Sequence, residues 1–266
     1  MPALVALSIT GFSGYAALLA VAPLWVVRGG STEAGAGLVN GVLLLATVIT
    51  QFAVPRLLAR FGHGPVLAAG LVLMGSSAPA YLLSDALLPT LVWSAVRGMG
   101  FGILTVTCVA LVAELVPARR RGEAIGVFGL AVALPNLLLL PASVAVAERV
   151  SFAAVFLVAA LPLAGVPPAL ALGRRLATHP ATGTGAVADA RPPDAATLRA
   201  VSRPTVVLFA VTMAGGAVLT FAPQLVPGAT TAAIALLLLN LTATAPGGRC
   251  LSGRRSSARP TARPRA

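Results

Sequence analysis

The sequence predicts an all-α polytopic membrane protein: a six-helix bundle followed by one or two further transmembrane helices. Three observations predict it. Of the 266 residues, 58% are hydrophobic and only 10% are charged, against about 45–50% and about 25% in soluble domains; so few charges cannot cover a water-facing surface of this size. The apolar residues fall in runs long enough to cross a bilayer, which takes roughly 20 residues for about 30 Å of hydrocarbon. The runs lack the apolar–polar alternation of barrel strands, which leaves the helix as the spanning element.

Six runs come first, at about 3–27, 36–58, 64–84, 88–114, 124–147 and 151–172. The first has no basic start and is followed by more spans, so it is not read as a cleaved signal peptide. A polar stretch, 173–203, carries Arg174, Arg175, Asp189, Arg191 and Asp194 and reads as a linker. A seventh run covers about 204–226, and an eighth starts near Ala229 and loses its apolar character by about Ala245. The resulting division is a six-helix transmembrane bundle at 1–172, a cytoplasmic linker at 173–203, the first helices of an incomplete second bundle at 204–245, and a basic tail at 246–266. That tail is rich in arginine and proline, cannot bury an apolar face, and is expected to be disordered. It reads as a frameshift or premature break, with a true basic tail that binds anionic lipid as the competing reading.

Every basic residue is an arginine, and their placement gives the orientation. The second, fourth and sixth loops hold Arg56 and Arg60; Arg119, Arg120 and Arg121; and Arg174, Arg175, Arg191, Arg199 and Arg203. The first, third and fifth hold only Arg28 and Arg149. The even loops and the N-terminus are therefore expected in the cytoplasm, in a multi-pass protein of a bacterial plasma membrane. The net charge of +12 is read as topology. The charged loops lack the aromatic interleaving of a single-stranded nucleic-acid site, so the lipid bilayer is an expected partner and nucleic acid is not.

Cys108 and Cys250 lie far apart, as do His63 and His179, which supports neither a disulfide framework nor a metal site. No Ser/His/Asp set, paired intramembrane carboxylates or phosphate loop is present. The chain is not expected to be an enzyme or to hold a cofactor or metal.

Arg97 is the most informative residue. Counted from Pro89, it lies roughly 12 Å into the fourth span, near the midplane, where a charged side chain is costly and usually faces the bundle interior or a wet cavity. Packing against backbone carbonyls, or snorkelling through a shifted span boundary, is the alternative. Ser13, Tyr15, Thr212 and Gln224 are polar candidates on other spans, with Thr105 and Cys108 on the fourth. Asn40, Gln51 and Asn136 are expected to bond between helices. The acids Glu33, Asp85, Glu114, Glu123 and Glu148 lie at span ends or in loops, and Glu114 is expected to pair with a loop arginine. Trp25 and Tyr81 read as interface anchors. The pairs Gly37/Gly41, Gly98/Gly102 and Gly122/Gly126 have the spacing of close helix packing, with service in a turn as the alternative for the last, since Gly122 lies at a loop margin.

Three segments resemble the major facilitator superfamily of secondary transporters. Pro117-Ala-Arg-Arg120-Arg121-Gly122-Glu-Ala124-Ile-Gly126 is similar to the family's P-x-x-R-R-G-x-A-x-G. Pro55-Arg-Leu-Leu-Ala59-Arg60-Phe-Gly62-His63-Gly64 is similar to G-x-x-x-D-R-x-G-R-R. Arg60 and Gly62 match there, while Pro55, Ala59, His63 and Gly64 depart from it. In Ser94-Ala-Val-Arg97-Gly98-Met-Gly100 the glycines align with R-x-x-x-G-x-G, with Ser94 at the arginine position and Arg97 nearly a turn later. Leu140-Pro141 stands where a Gly-Pro pair is common in antiporters.

The resemblance implies transport of a small-molecule substrate by alternating access, with efflux as its direction. It places Arg97, Tyr15, Ser13, Thr105 and Gln224 in the substrate pathway and Arg60, Gly62, Arg120 and Arg121 in the gating loops. A shift of 200 residues lays Ala17, Leu19, Ala22 and Pro23 on Ala217, Leu219, Ala222 and Pro223, as parallel repeats would. Two such halves need about twelve spans, about 240 residues before loops. The chain therefore reads as truncated, completed by a missing second half or a homo-oligomer. The rival is a non-transporting membrane subunit or an inactive half-transporter.

Overall fold

The computed structural model describes residues 2–178. The expected seventh and eighth spans, the tail, Thr212, Gln224, Cys250 and the second copy of the repeat lie outside the described residues. Within them the chain forms α1 (Pro2–Leu19), α2 (Val21–Arg28), α3 (Glu33–Phe61), α4 (His63–Ala80), α5 (Leu87–Leu115), α6 (Arg121–Arg149), α7 (Phe152–Val158) and α8 (Val166–Thr178). Short 3-10 turns at Tyr81–Leu83, Ala118–Arg120 and Leu161–Gly165 join them, and no strand occurs among the described residues. Together they make six membrane-length apolar segments: Ala3–Arg28, Glu33–Phe61, His63–Leu83, Leu87–Leu115, Arg121–Arg149 and Phe152–Leu176.

The helices overrun the apolar runs at their polar ends, because capping satisfies backbone groups beyond the hydrophobic stretch. Thr32 Oγ1 accepts from the Gly35 N–H at 3.3 Å and starts α3. Ser151 Oγ accepts from the Ala154 N–H at 3.1 Å and starts α7. Gly62 alone separates α3 from α4; its φ of 77° lies in the region where a side chain would strain the backbone. α8 runs on to Thr178, so the first residues of the expected linker are helical. Gly173 there meets Gly64 backbone to backbone, close enough that neither position has room for a Cβ.

The first span is broken at Ala20, between α1 and α2. Pro23 has no N–H to give the Leu19 carbonyl one turn back. Asn40 Nδ2, reaching across from α3, donates to that carbonyl at 3.0 Å. The expectation of an interhelical bond for Asn40 therefore holds, and the bond answers a vacancy that proline creates. Asn136 differs from expectation: its Nδ2 turns back to the Val132 carbonyl of its own helix at 2.8 Å.

α5 lies at the centre, packed along α3 on one side and α4 on another, while α1 packs along α6 and α8 along α4. Glycines allow the closest approaches. A Cβ at Gly98 would stand 2.2 Å from the Leu43 carbonyl oxygen, and one at Gly102 would stand 2.7 Å from that of Thr47, both on α3. Gly100 faces α4, where a Cβ would meet the Gly70 oxygen at 2.6 Å. The Gly98/Gly102 pair thus packs as its spacing predicts. Gly41, Gly122 and Gly126 do not, since each faces open space.

Candidate functional site

On α5, Arg97, Phe101 and Thr105 follow one another at four-residue spacing and so share one face. Arg97 lies about 15 Å along a helix about 42 Å long, so the helix centre falls near Phe101 and Arg97 stands one turn away. Arg97 is 1% exposed. Its Nη2 donates to the carbonyls of Gly14 (2.9 Å) and Tyr15 (2.7 Å) on α1. Its guanidinium carbon is 5.9 Å from the Tyr15 ring centroid. The carbonyl-packing reading is thus met for one nitrogen. Nε and Nη1 are buried without a hydrogen-bond partner.

Around this group the chain gathers aromatic and hydroxyl side chains. Tyr15 is stacked on Phe101, with centroids 3.9 Å apart and planes 6° from parallel. Phe12 meets Phe101 and Phe128 edge-on at 5.5 and 6.3 Å. The cluster therefore joins α1, α5 and α6. Tyr81 is fully buried, and its hydroxyl pairs with Ser94 Oγ at 2.8 Å. This corrects the reading of Tyr81 as an interface anchor. The 3-10 turn after α4 swings it inward, while Trp25 Nε1 donates to the carbonyls of Tyr81 (3.1 Å) and Ser84 (3.2 Å). Ser94, at the position where the family pattern has arginine, thus belongs to the same buried polar group as Arg97. One α-helical turn back from Arg97 and a tyrosine at a span end were the available signals; only the fold joins them.

One turn beyond Phe101, Thr105 Oγ1 accepts from Gln51 Nε2 of α3 at 3.2 Å and donates to the Gly102 carbonyl at 3.1 Å. The half-buried faces of Tyr15, Phe101, Thr105 and Gln51 continue the stripe begun by Arg97. Ser13 is buried, but two residues on an α-helix place it about 200° around α1 from Tyr15, away from this stripe. Cys108 is fully buried against Ser8, whose hydroxyl points at Sγ from 3.9 Å; it faces α1.

The gating-loop residues sit at the bundle end that carries the α3–α4 and α5–α6 turns. Arg121 caps α5, donating from Nη2 to the Ala113 carbonyl at 3.0 Å and from Nε to that of Val116 at 3.4 Å, where the helix dipole favours a cation. Arg120 Nε pairs with Glu123 at 3.1 Å. The hydrogen bond and charge of Glu123 hold the Arg120 guanidinium above its ordinary range. Arg60 is exposed and lies over the Phe61 ring, 5.2 Å from its centroid. Glu114 pairs with His63 Nε2 at 3.3 Å, not with a loop arginine, because the one-residue turn at Gly62 brings the start of α4 beside the end of α5. No group of three or more metal-ligating side chains occurs among the described residues.

Comparison with known proteins agrees with this architecture. Solved structures share the fold, among them two sugar transporters. A D-xylose–proton symporter has a TM-score of 0.60 and 18% identity, over 94% of this chain and 68% of that one. The inward-open xylose transporter XylE from E. coli has a TM-score of 0.57 and 18% identity, over 95% and 69%. No curated protein matches the chain. The family model described as Major Facilitator Superfamily matches residues 3–265, and the chain, a multi-pass membrane protein, belongs to that superfamily.

Proposed function

We propose that this protein exports a small solute across the cell membrane by alternating access, with its N-terminus in the cytoplasm. One observation carries the reading: the Arg97–Phe101–Thr105 face of α5, met by Tyr15 of α1 and Gln51 of α3. A polar and aromatic stripe near the middle of a transport-family bundle is where a midplane solute site belongs. Arg97, Tyr15 and Thr105 line the pathway, with Ser13 behind them and Gln224 contributed by the later part of the chain. Arg60, Gly62, Arg120 and Arg121 form the cytoplasmic gate. Export follows from the resemblance of Leu140-Pro141 to the antiporter Gly-Pro pair, and the sugar named for the two solved neighbours is not carried over at 18% identity.

Inside-out vesicles containing the full chain test this. Screened against a panel of labelled sugars, organic acids and cationic dyes, they are expected to accumulate at least one, and Thr105→Val with Gln51→Leu is expected to reduce that uptake. Vesicles that accumulate none, alone or with a second copy fused in tandem, would overturn export and leave the non-transporting subunit.

A further inference from the structure

We propose that Arg97 is the receptor for a compact anionic group, a solute carboxylate or a halide, held beneath the Tyr15 ring. The inference deepens the pathway reading and rests on it, since the anion reaches Arg97 from the half-buried stripe.

The argument starts from charge. Arginine cannot be deprotonated in a protein and carries five N–H donors. Arg97 is 1% exposed, and a buried cation must be paired or it carries its full desolvation cost. Among the described residues it forms no ion pair; Glu114 faces His63 and Glu123 faces Arg120. Glu33, Asp85, Glu114, Glu123 and Glu148 sit at helix ends or in turns, and the chain's other acids, Asp189 and Asp194, follow the sixth span. Two neutral carbonyls engage Nη2, whereas Nε and Nη1 have no acceptor. A water would supply lone pairs but no compensating charge.

The neighbours suit an anion. The Tyr81 hydroxyl lies within reach of the guanidinium and shares a hydrogen bond of 2.8 Å with Ser94 Oγ in which either oxygen can donate. That leaves one hydroxyl proton able to turn toward a ligand. The Tyr15 ring covers the guanidinium at 5.9 Å and rests on Phe101 at 3.9 Å. Arg97 therefore meets the stripe only across the Tyr15 ring, and an anion from the stripe reaches it when that ring moves off Phe101.

The test is thermal unfolding of the full chain in nanodiscs of neutral lipid. Sodium acetate or sodium chloride replaces sodium HEPES at constant ionic strength, with acetamide as the neutral isostere of acetate. The expected result is a saturable rise of the midpoint with acetate, chloride or both, none with acetamide, and loss of the rise in Arg97→Gln. Acetate alone assigns the site to a solute carboxylate; chloride alone assigns it to a halide. No saturable rise, or an equal rise in a folded Arg97→Gln, overturns the proposal. Should Arg97→Gln fail to fold, labelled acetate and chloride binding to the unmodified chain replaces it, and absence of saturable binding for both overturns the proposal. No step requires flux, so a chain that binds the anion yet transports nothing refutes the transport reading alone.

Discussion

Gly98→Ala tests how α3 and α5 hold together. Its added carbon would stand 2.2 Å from the Leu43 carbonyl oxygen, 3.0 Å from the carbonyl carbon and 3.1 Å from Ala46 Cβ. Two of these are backbone atoms of a helix, so no side-chain rotation relieves the clash. Ordinary contact begins near 3.4 Å, and reaching it moves the helices apart by about 1 Å, enough to forfeit a quarter to a half of each dispersion contact along the seam. The bond of 3.0 Å from Thr47 Oγ1 to the Gly98 carbonyl lies on the same seam. Overpacking costs about 1–3 kcal/mol, and rigid backbone on both sides puts this case at about 3 kcal/mol. For a domain of this size that lowers the melting midpoint by about 6–12 °C. Gly126→Ala is the control. It faces open space on a helix, and alanine there gains up to about 1 kcal/mol in helix propensity. Both variants are measured by thermal unfolding of purified protein in one detergent. Equal midpoints for the two would refute the assignment of the α3–α5 seam.

Three further outcomes follow from the same contacts. Asn40→Ala leaves the Leu19 carbonyl without its donor and is expected to cost about 1–2 kcal/mol in the same assay, whereas Asn40→Ala combined with Pro23→Ala, which restores an N–H, is expected to recover most of it. Glu114→Gln removes the partly buried pair with His63 and is expected to lower stability by no more than about 1 kcal/mol; a larger loss would show that the pair is better sheltered than its geometry implies. Glu123→Gln is expected to leave the midpoint unchanged, since the pair with Arg120 is exposed on both sides. Because Glu123 raises the Arg120 value, any stabilisation from that group is present below arginine's ordinary range and lost only above it. Melting between about pH 5 and 9 is therefore expected to show no contribution from it.

Particular residues show how far the sequence could be read. Arg97 stood out because a charge inside an apolar run is costly wherever it sits, and its burial against α1 carbonyls agrees with that. Gly98 and Gly102 were legible as a packing pair, yet Gly122 and Gly126, with the same spacing, face open space. Tyr81 looked like an interface anchor by its place at a span end, and one 3-10 turn carried it into the interior. His63 looked isolated, and Glu114 lies fifty-one residues away in sequence but 3.3 Å away in space.

The sequence by itself determined the number and approximate position of the membrane-length helices within the described residues, because crossing hydrocarbon demands a certain length of apolar chain. It also determined the cost of Arg97. Tertiary structure decided which face of each helix turns inward: the Asn40–Leu19 bond, the Tyr15–Phe101 stack and the Tyr81–Ser94 pair beside Arg97. The reason is physical. Lipid tails are as apolar as leucine, so the inner and outer faces of a membrane helix carry similar side chains. The period that reveals a buried face in water is then weak, and only the packed helices show which polar groups meet.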